Sequence, residues 1–167
     1  IGGYTSSTPD NTNLTFTEGN LSGSGSGGAK SSCTFPITSG KWYWEARISG
    51  GGNGNLGMYG SGNQRNSDTD TVTDGNIYGL YFDADVGTSW YESSDGTTYN
   101  SHSMNSIQAP WTPWHQSYGT TCIFNFGQDS SFAGNETAQG NQDGNNKGDF
   151  YYSVPAGYLA LCTDNLP

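Results

Sequence analysis

The chain has 167 residues, which is enough for one domain with a sizeable core. Its net charge is −10 with only five lysines and arginines, so it lacks the clustered positive charge that binds nucleic-acid phosphates or anionic membranes. No apolar run approaches the roughly 20 residues of a membrane-spanning helix. Aromatic residues make up 14% of the chain and glycine contributes 26 residues, a mixture that disfavours helices and suits short strands joined by turns. The composition therefore predicts an all-β protein.

The N-terminal part of the chain contains few periodic segments. Residues 1–13 have no apolar pattern and are predicted as an arm or linker ahead of a domain over residues 14–167. A first strand is predicted at residues 14–17, followed by a flexible Gly/Ser tract at residues 22–28. Residues 33–37 are predicted as an edge strand, because Pro36 cannot donate a hydrogen bond to a central ladder.

Residues 41–49 are the best-patterned strand of the chain. Apolar side chains alternate with polar ones or tyrosine, and the apolar set is Trp42, Trp44, Ala46 and Ile48. Because successive side chains of a strand point to opposite sides of the sheet, this period of two predicts a half-buried strand. Trp42, Trp44 and Ile48 are accordingly predicted in the core, and the face that carries Tyr43 and Arg47 is predicted to be open.

Further strands are predicted at residues 56–60, 77–83, 88–92, 97–99, 119–126 and 158–162. Between them lie a long irregular passage at residues 101–113 and an Asn/Gln/Gly-rich insertion at residues 130–149. The predicted core includes Leu80, Phe82, Trp90, Phe124 and Phe126. Roughly eight to ten short strands with frequent turn signals predict a two-sheet antiparallel β-sandwich.

Three stretches of the chain resemble SPRY domains, in the form common in structural proteins of bacteriophages, marine ones especially. Residues 40–48 (GKWYWEARI) resemble the tryptophan–glutamate strand of that family, and residues 75–83 resemble its glycine-led strand that ends in an acidic residue. Residues 124–128 and 157–167 are similar to the closing segment of the phage versions. The resemblance spans roughly residues 14–167 and implies a concanavalin A-like jelly roll.

The sequence offers no convincing catalytic constellation. Glycoside hydrolysis needs two carboxylates placed about 5–10 Å apart across a sugar ring, whereas the glutamates are isolated from one another: Glu18, Glu45, Glu92 and Glu136. Asp83 and Asp85 stand at the end of a hairpin strand, where acidic residues form turns. His102 and His115 adjoin no Gly-x-Ser-x-Gly elbow and are predicted as exposed loop residues. We therefore predict that the protein is not an enzyme.

Metal and disulfide sites are weakly indicated. The three cysteines, Cys33, Cys122 and Cys162, have no Cys-x-x-Cys spacing and so predict no zinc site, while a disulfide between two of them stays open. Residues 141–145 and the acidic loop 68–74 alternate oxygen-bearing side chains as calcium loops do, but neither supplies the following glutamate. The prediction is turns and no cofactor, with calcium as the alternative.

Binding residues are sought in loops, because a rigid scaffold usually carries recognition on its connections. The candidates are two asparagines near a glycine-rich turn, two aspartates of the acidic loop and three aromatic-type side chains: Asn53, Asn55, Asp68, Asp70, Tyr99, Trp111 and His115. Trp111 is predicted as the main exposed anchor. Trp114 is predicted to plug the end of the sandwich.

The resemblance implies a non-enzymatic structural or recognition module on a virion surface, as part of a fibre or a surface decoration. Its implied partners are other virion subunits, copies of itself, or a glycan or protein of the host surface. The alternative is a secreted bacterial carbohydrate-binding module or adhesin. Because the chain begins without methionine and ends abruptly at Pro167, it is also predicted to be part of a longer protein.

Overall fold

A computed structural model describes residues 4–5, 14–25, 29–33, 36–61, 65–66, 72–105 and 107–166. The strands in this part of the chain are β1 (Tyr4–Thr5), β2 (Leu14–Thr17), β3 (Ser22–Gly25), β4 (Ala29–Cys33), β5 (Lys41–Ser49), β6 (Asn53–Tyr59), β7 (Arg65–Asn66), β8 (Ile77–Asp83), β9 (Ser89–Ser93), β10 (Asn100–Ser103), β11 (Thr112–Tyr118), β12 (Thr121–Asn125) and β13 (Leu159–Ala160). Short 3-10 turns occur at Glu18–Asn20 and Thr163–Asn165. None of the described residues belongs to a helix that is long and apolar enough to cross a membrane.

The strands form two sheets. The larger sheet has the order β10-β9-β8-β5-β12-β3-β2, and β13 pairs with β5 in parallel. The smaller sheet has the order β1-β4-β11-β6-β7. Apart from β13, the strand pairs within the described residues are antiparallel. The predicted all-β, two-sheet antiparallel sandwich is confirmed.

The main core lies between the two sheets and is built largely from aromatic side chains. All eight side chains that were predicted for the core are buried: Trp42, Trp44, Ile48, Leu80, Phe82, Trp90, Phe124 and Phe126. They come from β5, β8, β9 and from β12 with the residue that follows it, at positions that face the smaller sheet. Aromatic side chains each bury on the order of 150–250 Å², which lets a chain poor in aliphatic residues close its core.

Several segment predictions differ from the structure. Tyr4–Thr5, in the predicted arm, pair with β4 at the edge of the smaller sheet. The predicted flexible tract contains β3, which hydrogen-bonds to β2 on one side and β12 on the other. β4 is an inner strand that ends before Pro36, and the predicted irregular passage contains β10. At β1, β3 and β10, strand pairing overrides a local composition typical of loops.

The second face of β5 is covered, so the prediction of an open face is wrong. Residues 126–158, which we call the cover segment, fold back over the outer face of the larger sheet. Phe150 packs edge-on against Tyr43, with ring centroids 5.0 Å apart, and Phe132 packs with Ile77 and Ile123. Phe132 adopts a positive φ of 49°, a conformation that a bulky residue takes only when its surroundings require it.

Two carboxylates fix the cover segment in place, those of Glu136 and Asp143. Arg47 Nε lies 2.8 Å from Glu136 Oε1, which ties the middle of the segment to β5. Asp143 accepts hydrogen bonds from the backbone N–H groups of Asn145, Lys147 and Ala160 and from Asn165 Nδ2, all between 2.7 and 2.9 Å. These four donors occupy both carboxylate oxygens of Asp143. The loop at residues 141–145, for which calcium binding was the alternative prediction, thus holds the cover segment to the residues around Ala160 and Asn165.

We expect Asp143→Ala to destabilise the domain by about 1–3 kcal/mol, because the replacement leaves partly buried backbone N–H groups without an acceptor. Denaturant unfolding of the variant and the wild type measures the difference. Asp164→Ala is the matched control, since the Asp164 carboxylate is exposed and its contact with Lys147 lies at the surface. Equal unfolding midpoints for Asp143→Ala and the wild type would show that the hydrogen bonds of Asp143 contribute nothing to the stability of the domain.

Candidate functional site

A groove on the outer face of the larger sheet lies beyond the edge of the cover segment. Its floor is the β8–β9 hairpin, where Tyr81 pairs directly with Tyr91, and Asp83 projects from the same face as Tyr81 because alternate residues of a strand share a face. Tyr158, the last residue of the cover segment, closes one side. The cavity measures about 180 Å³, and its lining residues are Tyr81, Asp83, Val86, Thr88, Ser89, Tyr91 and Tyr158. We call it the tyrosine groove.

Tyr81 is the centre of a cluster of tyrosine rings. Its ring stacks on Tyr91 at 4.6 Å and 16°, and packs in tilted geometry against Tyr158 at 4.5 Å and Tyr99 at 4.8 Å. Burial raises the pKa of Tyr158 to about 12, and burial also raises the pKa of Tyr81. The two hydroxyl groups are therefore neutral at pH 7 and can both donate and accept hydrogen bonds.

Asp83 places a carboxylate at the edge of the groove. Its Oδ2 lies 2.8 Å from Lys41 Nζ, and its Oδ1 accepts hydrogen bonds from the backbone N–H groups of Asp85 and Val86. The hydrogen bond from Lys41 lowers the pKa of Asp83, and the same bond raises the pKa of Lys41. Asp83 is therefore ionised at neutral pH, and it also shapes the turn that follows β8.

The β8–β9 turn, residues 84–88, rises between the groove and a second cavity. Val86 stands on it with 63% of its surface exposed. The second cavity measures about 640 Å³, and its lining residues are Val86, Gly87, Thr88, Ser103, Met104, Asn105, Ile107, Gln108 and Trp111. Gly87 has a φ of +67°, and a Cβ built there would lie 3.1 Å from the Trp111 ring, so glycine is required on two grounds. We call the turn and both cavities the turn surface.

The predicted exposure of Trp111 is wrong. Only 9% of its surface is accessible; its indole N–H donates to the Ile107 carbonyl at 3.0 Å, and its ring meets Phe82 edge-on. A two-way backbone bridge with Ile37 holds it against the sandwich. Trp111 therefore forms part of the cavity floor and is not an exposed anchor. Trp114 is buried, as predicted.

Both histidines lie on strands and are buried, which corrects their prediction as exposed loop residues. His115, on β11, has no accessible surface, and burial lowers its pKa to about 3. His102, on β10, stacks on Trp90 with ring centroids 4.3 Å apart. The predicted role of His115 at a binding surface is therefore wrong, because its side chain lies inside the sandwich.

The remaining candidate residues are dispersed. Tyr99 is half-buried in the tyrosine cluster and so adjoins the groove. Asn53 is exposed and Asn55 is half-buried, but both belong to β6 of the smaller sheet. Asp68 and Asp70 lie outside the described residues. Of the predicted binding residues, Trp111 lines the turn surface, and Tyr99 lies behind it in contact with Tyr81.

Sequence reasoning missed the groove residues Tyr81, Asp83, Tyr91 and Tyr158, as well as Val86. A signal for two of them was present: if Leu80 and Phe82 face inward, alternation places Tyr81 and Asp83 outward. Their cross-strand neighbour Tyr91 requires the β8–β9 register, and Tyr158 requires the path of the cover segment.

The described part of the chain holds no group of three or more His, Cys, Asp or Glu side chains arranged to bind a metal ion. Cys122 is buried on β12, and Cys162, which is half-buried, has a free thiol.

Comparison with known proteins identifies the fold. No protein-family model matches the chain, and no curated protein matches it. Among solved structures, the chain is similar to the PSpry domain of TRIM65, with a TM-score of 0.53 and 11% identity over 74% of this chain and 88% of that one. It is similar to the SPRY domain of human HERC1, with a TM-score of 0.50 and 15% identity over 66% of this chain and 91% of that one.

A further similar structure is that of stonustoxin, with a TM-score of 0.49 and 18% identity over 74% of this chain; the chain spans only 26% of the toxin's length. The two solved SPRY domains, together with the arrangement of the two sheets, show that the chain has the SPRY, concanavalin A-like β-sandwich fold.

Proposed function

We propose that the domain is a non-enzymatic module that binds another polypeptide through the turn surface. The observation that carries this proposal is the exposed Val86 side chain, which stands between two cavities on a hairpin of the larger sheet. Protein interfaces typically combine an apolar or aromatic centre with polar groups at the rim. The turn surface has that composition: valine and tyrosine rings in the middle, hydroxyl and amide groups around them.

Backbone hydrogen bonds within the turn and to neighbouring segments hold the turn in one conformation. The Ala84 N–H donates to the Gly40 carbonyl at 2.8 Å, and the Gly87 N–H donates to the Asp83 carbonyl at 2.8 Å. On the far side, the Met104 N–H donates to the Thr88 carbonyl at 2.9 Å. A surface that is already ordered loses little conformational entropy when a partner binds, and this supports a recognition role.

The carboxyl group whose pKa is most strongly raised in the described part of the chain does not support catalysis. Burial raises the pKa of Glu45 to about 7, a shift that often marks a functional site. However, Glu45 is fully buried, and its oxygens accept hydrogen bonds from Tyr43 Oη, Asn125 Nδ2 and the backbone N–H groups of Tyr151 and Tyr152, at 2.8–3.0 Å. Glu45 thus fastens the cover segment and has no access to a substrate.

The location of the domain is a further part of the proposal. We place it on the surface of a phage virion, as a fibre or decoration element whose partner is a virion subunit, a second copy or a host-surface protein. The support is the resemblance of residues 40–48, 75–83 and 124–128 to phage SPRY strands. None of the three similar structures named above is described as a phage protein, so this placement depends on the sequence resemblance alone.

The test is selection of binding peptides from a random displayed library, followed by affinity measurements on variants. Val86→Asp is expected to weaken the selected peptides at least tenfold, because it places a charge in the apolar centre of the surface. The melting temperature is expected to stay unchanged, since Val86 is exposed. Tyr118→Ala is the matched control, because Tyr118 is also exposed but lies at the opposite end of β11 from Trp111.

Two results would contradict the proposal. One is a set of selected peptides that bind Val86→Asp as well as the wild type. The other is a library that yields no binder while a glycan array gives specific hits that Tyr91→Ala abolishes. The second result would establish the carbohydrate-binding alternative, since tyrosine rings can also stack on sugars.

A further inference from the structure

We propose that the tyrosine groove is built to receive a cationic side chain, arginine in particular, from an extended segment of the partner polypeptide. This inference rests on the proposed function and names the chemistry that its site recognises. Three observations support it: the lining of the groove, the cation that already lies at its edge, and the charge of the chain.

The lining combines aromatic rings with a carboxylate. Tyr81, Tyr91 and Tyr158 surround the cavity, and Asp83 stands at its margin. A cation placed over a tyrosine face is attracted by the negative potential of that face, and the attraction grows when a carboxylate lies close by. An arginine guanidinium suits such a site better than an ammonium group, because it is planar, stacks on rings and bonds a carboxylate with two parallel N–H groups.

The chain's own Lys41 already uses part of this site. Its Nζ lies 2.8 Å from Asp83 Oδ2 and 6.0 Å from the centre of the Tyr158 ring. The carboxylate and this ring therefore already accommodate a positive charge. The Lys41 side chain is 47% exposed, and an ion pair with so much contact with water is weak because the solvent screens it. A partner arginine can therefore replace Lys41 at Asp83 at little cost.

The charge of the chain favours the same kind of partner. There are 15 acidic residues against five lysines and arginines. Near the groove, Asp85 is exposed, with one carboxylate oxygen accepting a hydrogen bond from the Gly40 N–H. A protein with this balance attracts basic segments and repels acidic ones during encounter.

The experiment is a nuclear magnetic resonance titration of the domain with N-acetyl-arginine amide. The control ligand is N-acetyl-citrulline amide, which has nearly the same shape but no charge. Saturable shifts of the amide signals of Thr88, Ser89 and Tyr91 are expected with the arginine compound, and at least tenfold weaker binding with citrulline. Equal binding of the two ligands, or no saturable shift at these residues with either, would overturn the inference.

Two variants separate recognition from structure. Asp83→Asn keeps an oxygen that can accept the turn's N–H groups but removes the charge, so arginine binding is expected to fall about tenfold with an unchanged melting temperature. Lys41→Gln removes the internal competitor, so binding is expected to tighten severalfold. A merely structural role for Lys41 would give unchanged or weaker binding, and that result would contradict the inference.

The same variants distinguish failure of this inference from failure of the proposed function. The peptides selected on the wild-type domain are measured against Asp83→Asn and Val86→Asp. If Val86→Asp weakens them while Asp83→Asn does not, the turn surface binds polypeptide but the cation assignment is wrong. If neither variant affects them, both proposals fail.

Discussion

Replacing Phe150 by alanine is expected to destabilise the domain by about 3–5 kcal/mol. Phe150 is fully buried between the cover segment and the larger sheet, where it packs on Tyr43 with Ala160 beside it. Removing a buried phenylalanine side chain loses its transfer free energy and leaves a cavity. Because native domains are stable by only about 5–15 kcal/mol, the loss is a large fraction of the total. Denaturant unfolding monitored by tryptophan fluorescence measures it.

Two further variants make the result specific. Phe150→Leu, which keeps most of the volume, is expected to cost much less, and Val86→Ala, at an exposed position, is expected to change the free energy of unfolding by less than about 0.5 kcal/mol. If Phe150→Ala matches the wild type, the cover segment is a dispensable insertion in energetic terms.

This prediction could not be made from the sequence. The period-two pattern of residues 41–49 identified β5 and its inward side chains, because the main core accounts for one face of the strand. The other face is covered by two aromatic residues of a largely polar segment, Phe132 and Phe150. Neither lies in a periodic run, and their contacts with Ile77 and Tyr43 are distant in the chain. No local sequence pattern predicts packing between residues so far apart in the chain.

In the candidate site, too, some features could be predicted from the pattern of one strand and others could not. Because side chains alternate along β8, Tyr81 and Asp83 point away from Leu80 and Phe82. Half of the groove could therefore be predicted from the sequence. The burial of Trp111 could not be predicted in this way, because it depends on a backbone bridge to Ile37, a contact between residues far apart in sequence. Patterns within one strand were therefore reliable, whereas the exposure of side chains between strands depended on tertiary contacts.

Two buried groups are expected to have opposite effects on how the free energy of unfolding depends on pH. Burial raises the pKa of Glu45 from 4.5 to about 7 in the folded domain. The folded state therefore binds more protons than the unfolded state between these values, and the free energy of unfolding falls as the pH rises through this window. Burial lowers the pKa of His115 from 6.5 to about 3. Here the unfolded state binds more protons, so stability rises with pH up to 6.5.

The two contributions oppose each other between pH 4.5 and 6.5, where both groups titrate differently in the folded and unfolded states. Each amounts to about 3 kcal/mol over this window, since one pKa unit corresponds to about 1.4 kcal/mol. Their sum nearly cancels, so the wild-type free energy of unfolding is expected to change little across the window. Measurements on the wild type alone therefore cannot detect the separate contributions of Glu45 and His115.

Single substitutions separate the two effects. Glu45→Gln leaves the histidine contribution, so stability is expected to rise by about 3 kcal/mol from pH 4.5 to 6.5. His115→Gln leaves the glutamate contribution, so stability is expected to fall by a similar amount over the same range. Denaturant unfolding at a series of pH values gives these slopes, and the absolute cost of each substitution does not affect them. A flat slope for Glu45→Gln would show that His115 keeps its ordinary pKa inside the fold, and a flat slope for His115→Gln would show the same for Glu45. Slopes of opposite sign require both groups to be buried in the states described, Glu45 beneath the cover segment and His115 on β11 inside the sandwich.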